Sequence, residues 1–167
     1  MSKVFGLTSR YTPVSNETSR VVFAYDIEPV DEINSIWREV FFYKKQYPNL
    51  TIDDVKNAII SGINAETDEK ILNGFVWHNI NVWLSSENQF NFKAAYDLAV
   101  QTQGSSLPVK FKLGENAEGK PVYRTFEDMG EFTDFYTKAI AYINQCLNEG
   151  WARKDAIDWN DYKITEA

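Results

Sequence analysis

One histidine, His78, and one cysteine, Cys146, set the outer limit on the catalysis this chain could perform. A zinc site, a Cys-His pair or a Ser-His-Asp triad would each have to be built on His78, and a useful base also needs an orienting partner in a pocket. His78 falls at the tip of an expected hairpin, so no such role is assigned to it. The 24 acidic residues could in principle supply a carboxylate pair for glycoside hydrolysis. The pairs Asp53 with Asp54, Glu127 with Asp128, and Asp155 with Asp158 sit at expected helix starts or in the tail, where capping and the helix dipole explain them more simply. Phosphate-cradling GxxxxGK[ST], GxGxxG and calcium-loop DxDxDG patterns do not occur, and the loop at 114–121 reads as a flexible turn. No catalytic, cofactor-binding or metal-ligating residue is therefore assigned, and no cofactor is expected.

The elements that would position any site are clearer. The stretch 125–150, TFEDMGEFTDFYTKAIAYINQCLNEG, has the strongest pattern and reads as one long helix. Met129, Phe132, Tyr136, Ala139, Ile143 and Cys146 recur at alternating threes and fours, widened by Phe135, Ile140 and Leu147 into a broad apolar face. Thr125 and Asp128 supply an N-cap arrangement, and Gly150 stands where a C-terminal cap belongs. Cys146, on the apolar face, reads as a buried small hydrophobe. A short helix at 151–157 and a tail follow.

Upstream, residues 1–19 read as an irregular or extended arm, and 20–27, RVVFAYDI, as a strand rich in β-branched and aromatic residues. Pro29, acidic Asp31 and Glu32, and apolar Ile33, Trp37, Val40 and Phe41 predict a helix over 30–46. Thr51 with Asp54 starts the next helix, broken near Gly62 and resumed over 65–72. The segment 75–84, FVWHNINVWL, predicts a hairpin turning at His78 and Asn79. Ser86 and Gln89 form a capping box for a helix to about 103, with Phe92, Tyr96, Leu98 and Ala99 inward. Residues 109–113 and 122–124 predict a second strand pair, with Lys110 and Lys112 on a wet face. The fold class expected is α+β: helices packed on two short antiparallel β-hairpins, with a long C-terminal helix and an extended N-terminal arm. The expected organisation is an arm and strand at 1–29, a helical segment at 30–72, and an α+β domain at 73–167.

Composition narrows the partners. The net charge of −7 resides in the C-terminal part: residues 1–63 carry 7 basic and 8 acidic side chains, the remainder 10 and 16. No block of Lys or Arg offers the footprint that phosphate binding needs, so nucleic acid is not an expected partner. No 18-residue apolar run predicts membrane insertion, and the N-terminus lacks the apolar core of a signal peptide. The aromatic load, 5 Trp, 9 Tyr and 11 Phe, fits either a well-filled core or an interface rich in rigid rings.

Four stretches carry a resemblance: the hairpin FVWHNINVWL, the following SSENQFNFKAAYDLA with Ser86, Gln89 and Asn91, the strand segment LPVKFKL, and the helix ending LNEGWARKDAI. Over about 73–157 their order resembles a domain of unknown function recurring in bacteriophage tail-associated and tail-fibre-associated proteins. The turn His78-Asn79 stands where such domains usually carry a glycine, and the loop GENAEGKP is longer. The resemblance implies a non-enzymatic virion structural or assembly protein, made in the host cytoplasm and located in the virion. Its partners would be other virion or tail proteins in a homo- or hetero-oligomer, with the arm lying on a neighbouring chain. Two other readings stand beside it. One is a carbohydrate-binding or carbohydrate-cleaving module stacking sugars on Trp77, Trp83 or Trp159; the other is a phage-encoded inhibitor of a host protein.

Overall fold

The computed structural model describes residues 2–164. Among these residues the fold is α+β, with three antiparallel sheets and three α-helices, the last long and C-terminal. It divides into two units, residues 1–65 with 150–167 and residues 66–149, whose boundaries fall inside two of the helices.

The first unit is built on a four-stranded sheet. Strands β1 (Ser2–Leu7), β2 (Val14–Asn16), β3 (Arg20–Pro29) and β4 (Asn34–Tyr43) run in the order β1-β4-β3-β2, every neighbour antiparallel. This corrects two expectations. The N-terminal arm is not separate from the strand that follows it: its extended segments pair within the chain, Val4 opposite Trp37 and Val14 opposite Phe23. The segment 30–46 is not a helix but a turn and a strand. Asp31 accepts from the backbone N–H of Ile33 (2.9 Å) and Asn34 (2.8 Å), so the acidic residues taken for a helix start belong to a hairpin turn. Trp37 and Arg38 are both buried, on opposite faces of β4, which erases the alternation that marks a strand wet on one side.

On one sheet face Phe23, Tyr25 and Phe42 pack with Val55, Ile59 and Ile63 of helix α1 (Ile52–Asn73) and with Tyr162. Thr51 caps α1 in the expected way: its hydroxyl accepts from the Asp54 N–H (3.3 Å), and the Asp54 carboxylate accepts from the Thr51 N–H (2.9 Å). No break occurs at Gly62, which is buried within the one continuous helix.

The second unit places two hairpins against two helices. Strands β5 (Phe75–Trp77) and β6 (Ile80–Val82) turn through His78 (φ 48°) and Asn79 (φ 64°), the left-handed pair that such a tight turn demands. Helix α2 (Ser86–Gln101) is capped by Ser85, not Ser86: the Ser85 hydroxyl accepts from the Asn88 N–H (3.2 Å), while Gln89 donates to the Leu84 carbonyl. Phe92 and Ala99 of α2 are buried and Tyr96 packs against the core, but Leu98 is exposed. Strands β7 (Val109–Glu115) and β8 (Pro121–Phe126) form the second pair, with Lys110 and Lys112 outward as expected.

Helix α3 (Met129–Asp155) starts later and ends later than its pattern suggested. Thr125 pairs with Lys110 in β8, so Asp128 alone caps the helix, accepting from the Glu131 N–H (2.9 Å). Gly150 is buried inside the helix, and the expected short helix at 151–157 is its last turns. Phe132, Phe135, Ala139 and Cys146 of α3 meet Trp77, Val82, Phe92, Leu113 and Phe126 in a core dominated by rings. The Phe126 and Phe132 rings stack at 4.8 Å and Phe92 meets Phe135 edge-on at 5.1 Å, geometries in which aromatic pairs gain beyond simple burial.

Candidate protein interface

A sheet with two outer strands must manage two rows of unpaired backbone groups. The chain treats its two edges differently. At the β2 edge the strand is three residues long and preceded by Pro13. Beyond it the Ala24 carbonyl would be bare, and two tyrosine hydroxyls donate to it, Tyr11 at 3.2 Å and Tyr162 at 3.0 Å. Burial raises the pKa of both phenols, that of Tyr162 the more strongly. The carbonyl left beyond the end of this short strand is covered.

The β1 edge is longer and, among the described residues, carries no strand partner on its outer side: six residues, no proline, one charge at Lys3. Thr8 donates its N–H to Ile33 O (2.8 Å), which fixes the phase of the ladder: even-numbered residues of β1 bond β4, and Lys3, Phe5 and Leu7 turn their N–H and C=O groups outward. The side chains of these same three residues share the sheet face of Ile36 and Arg38. Phe5 is 64% and Ile33 63% exposed; Leu7, Ile27 and Val30 at the same end of the sheet are exposed as well. Single exposed apolar residues are ordinary, but an apolar group beside a free row of donors and acceptors fits an interface.

A charged cluster separates this end from the packed core. Between Tyr25 and Glu28 the β3–β4 register shifts, and Asp26 takes the left-handed backbone (φ 56°), which Asp tolerates better than most residues. Its carboxylate faces two guanidinium groups, Arg38 at 3.0 Å and Arg153 at 2.7 Å, and Arg38 also meets Glu28 at 2.8 Å. The bulge aims one carboxylate at two cations that would otherwise be costly to desolvate. This cluster escaped sequence reasoning; an isolated Asp in a β-branched run gives no signal of a bulge.

The residues weighed for chemistry are scattered. His78 stacks on Trp77 at 4.0 Å and is exposed at the hairpin tip. The Trp77 indole, 2% exposed, donates to Asp134 (3.0 Å), whose carboxyl is held below the usual carboxylate range by the Lys138 ammonium and by this bond. Asp54, Asp128 and Asp158 serve as caps. The loop at 114–121 closes the β7–β8 pair through Asn116, which accepts from the Lys120 N–H (2.9 Å). The three indoles have separate surroundings: Trp77 is buried in the second unit's core, half-buried Trp83 carries the Lys112 ammonium over its ring, and Trp159 packs beside the first unit's core with the Lys56 ammonium over its ring. Among the described residues no group of three or more His, Cys, Asp or Glu is placed to hold a metal ion, and no helix is long and apolar enough to cross a membrane.

A family model described as Domain of unknown function (DUF4376) matches residues 54–167, more than half of the chain. The chain belongs to this family. The DUF4376 match contains the whole hairpin, helix and strand-pair succession of the second unit, together with α1 from Asp54 onward. The open β1 edge lies outside it. No curated protein and no solved structure matches the chain.

Proposed function

We propose that the chain is a non-enzymatic bacteriophage virion structural or assembly protein, associated with the tail or its appendages and acting through protein–protein contacts. The observation that carries this reading is the open β1 edge, where unpaired backbone groups and exposed Phe5, Leu7 and Ile33 stand together. Strand addition to such an edge is a common assembly device, with main-chain bonds supplying affinity and alternate side chains supplying specificity. The order of elements over 73–157, a hairpin, a helix, a strand pair and a long helix, resembles that of phage tail-associated domains and supports the same reading.

The direct test is quantitative mass spectrometry of density-purified phage particles and of tail intermediates from an infected culture. Integral copies of the chain per particle, or per intermediate, are expected. A chain confined to the soluble lysate, absent from both, overturns the proposal.

A further inference from the structure

The outward row on β1 has a symmetry of its own. Its free donors and acceptors belong to Lys3, Phe5 and Leu7, evenly spaced about Phe5. We infer that the occupant of this edge is the β1 strand of a second copy, paired antiparallel about a two-fold axis that runs through Phe5 normal to the sheet. This rests on the reading of the edge as an assembly surface and names its partner.

The register follows from the phase of the ladder. With Phe5 opposite Phe5 of the second copy, Lys3 faces Leu7 and Leu7 faces Lys3, and all three are hydrogen-bonded pairs, so every outward group of residues 3, 5 and 7 is satisfied. Sliding by two residues, so that Val4 faces Val4, sets Phe5 opposite Lys3 and separates the two Phe5 rings. A slide of one residue would turn the face bearing Phe5 to opposite sides in the two copies. The Phe5 register alone also sets the two exposed rings side by side on one face, next to Ile36 and Leu7 of both copies.

Charge agrees with this arrangement. The two Lys3 side chains stand four residues apart, about 13 Å at the strand rise, beyond a Debye length at physiological salt. Each lies at the end of the sheet where the other copy carries its hairpin turn with Asp31 and exposed Glu32. The interface is isologous, the same patch on both copies, and it closes into a dimer with an eight-stranded sheet rather than growing into a filament.

The test uses the full chain and two readouts. Light scattering over a concentration series should give twice the 19.3 kDa chain mass, returning to one chain mass in Phe5→Glu. Register is read by cysteine pairing. In a hydrogen-bonded antiparallel pair the Cα atoms stand about 5.5 Å apart, inside the range a disulfide spans, so Phe5→Cys should oxidise to a covalent dimer. Leu7→Cys, about 13 Å from its own symmetry mate, should not, and the parent chain with its buried Cys146 is the control for background. A monomer at every concentration, or a dimer that Leu7→Cys cross-links and Phe5→Cys does not, overturns the inference. A monomer found in integral copies in phage particles would overturn the inference and leave the assembly reading standing, with a foreign strand as the occupant. A β1 dimer absent from particles and tail intermediates would do the reverse.

Discussion

Gly114 shows how tightly single residues are constrained where the two hairpins of the second unit meet. The Trp83 N–H donates to the Leu113 carbonyl (2.8 Å), and a Cβ at Gly114 would stand 2.3 Å from the Asn81 carbonyl oxygen. The obstacle is backbone, not a flexible side chain, so Gly114→Ala should destabilise by about 1–3 kcal/mol, the usual cost of overpacking, as a lowered denaturant midpoint with unchanged slope. A glycine in the run LPVKFKLGENAE gives no hint of this contact, because it depends on Asn81 in a hairpin earlier in the chain. The tyrosines supply the pH dependence. Burial raises Tyr162 strongly from its ordinary 10.0 and pushes Tyr142 up to about 12. The folded state therefore holds these protons more tightly than the unfolded chain, and the associated stability is complete below pH 10 and lost as pH rises through the folded values. Alkaline titration should show phenolate absorbance and loss of circular dichroism rising together above pH 10; full phenolate formation in a folded chain would contradict this. Tyr162→Phe, which removes the bond to the Ala24 carbonyl, should cost about 1 kcal/mol at neutral pH and weaken the alkaline loss of stability, because the titrating phenol is gone.

Among the elements, those set by local chemistry were legible and those set by neighbours were not. The Thr51–Asp54 box, the His78-Asn79 turn and the outward Lys110 and Lys112 were all readable, because each is fixed by residues a few positions apart. Strand β4 was not: Trp37 is buried against one face and Arg38, held by Asp26 and Glu28, against the other, so helical spacing of Ile33, Trp37 and Val40 mimicked an amphipathic helix. Gly62 and Gly150 misled for a related reason, since both are buried inside continuous helices where a small residue suits the packing. The start of α3 offers a check on the assigned cap. Asp128→Ala should cost about 1 kcal/mol in thermal or denaturant unfolding, whereas Thr125→Ala, on an exposed position of β8, should change stability by less than about 0.5 kcal/mol. A larger loss at Thr125 than at Asp128 would restore the cap expected from the sequence.

At the scale of the whole molecule, the arm proved to be part of a sheet rather than a tether. Residues 1–19 lack a sustained alternation, and only the partners in β3 and β4 give them structure. The consequence for function is that strand 20–27 is not available for strand addition, being paired on both sides; the free edge is β1. One edge is a three-residue strand with the Ala24 carbonyl beyond it covered by Tyr11 and Tyr162, and the other is six residues long, so the longer row for a new strand lies at β1. That asymmetry was beyond sequence reasoning, since it requires knowing that Tyr162 returns to a strand begun at residue 20. The most direct test of the assembly account is co-sedimentation of the purified chain with tail particles, beside the folded double variant Phe5→Glu/Leu7→Glu. The account predicts saturable, stoichiometric pelleting of the parent and its loss in the variant, with the circular dichroism of the two indistinguishable. A parent that stays in the supernatant at every concentration, or a variant that pellets as well as the parent, would contradict it.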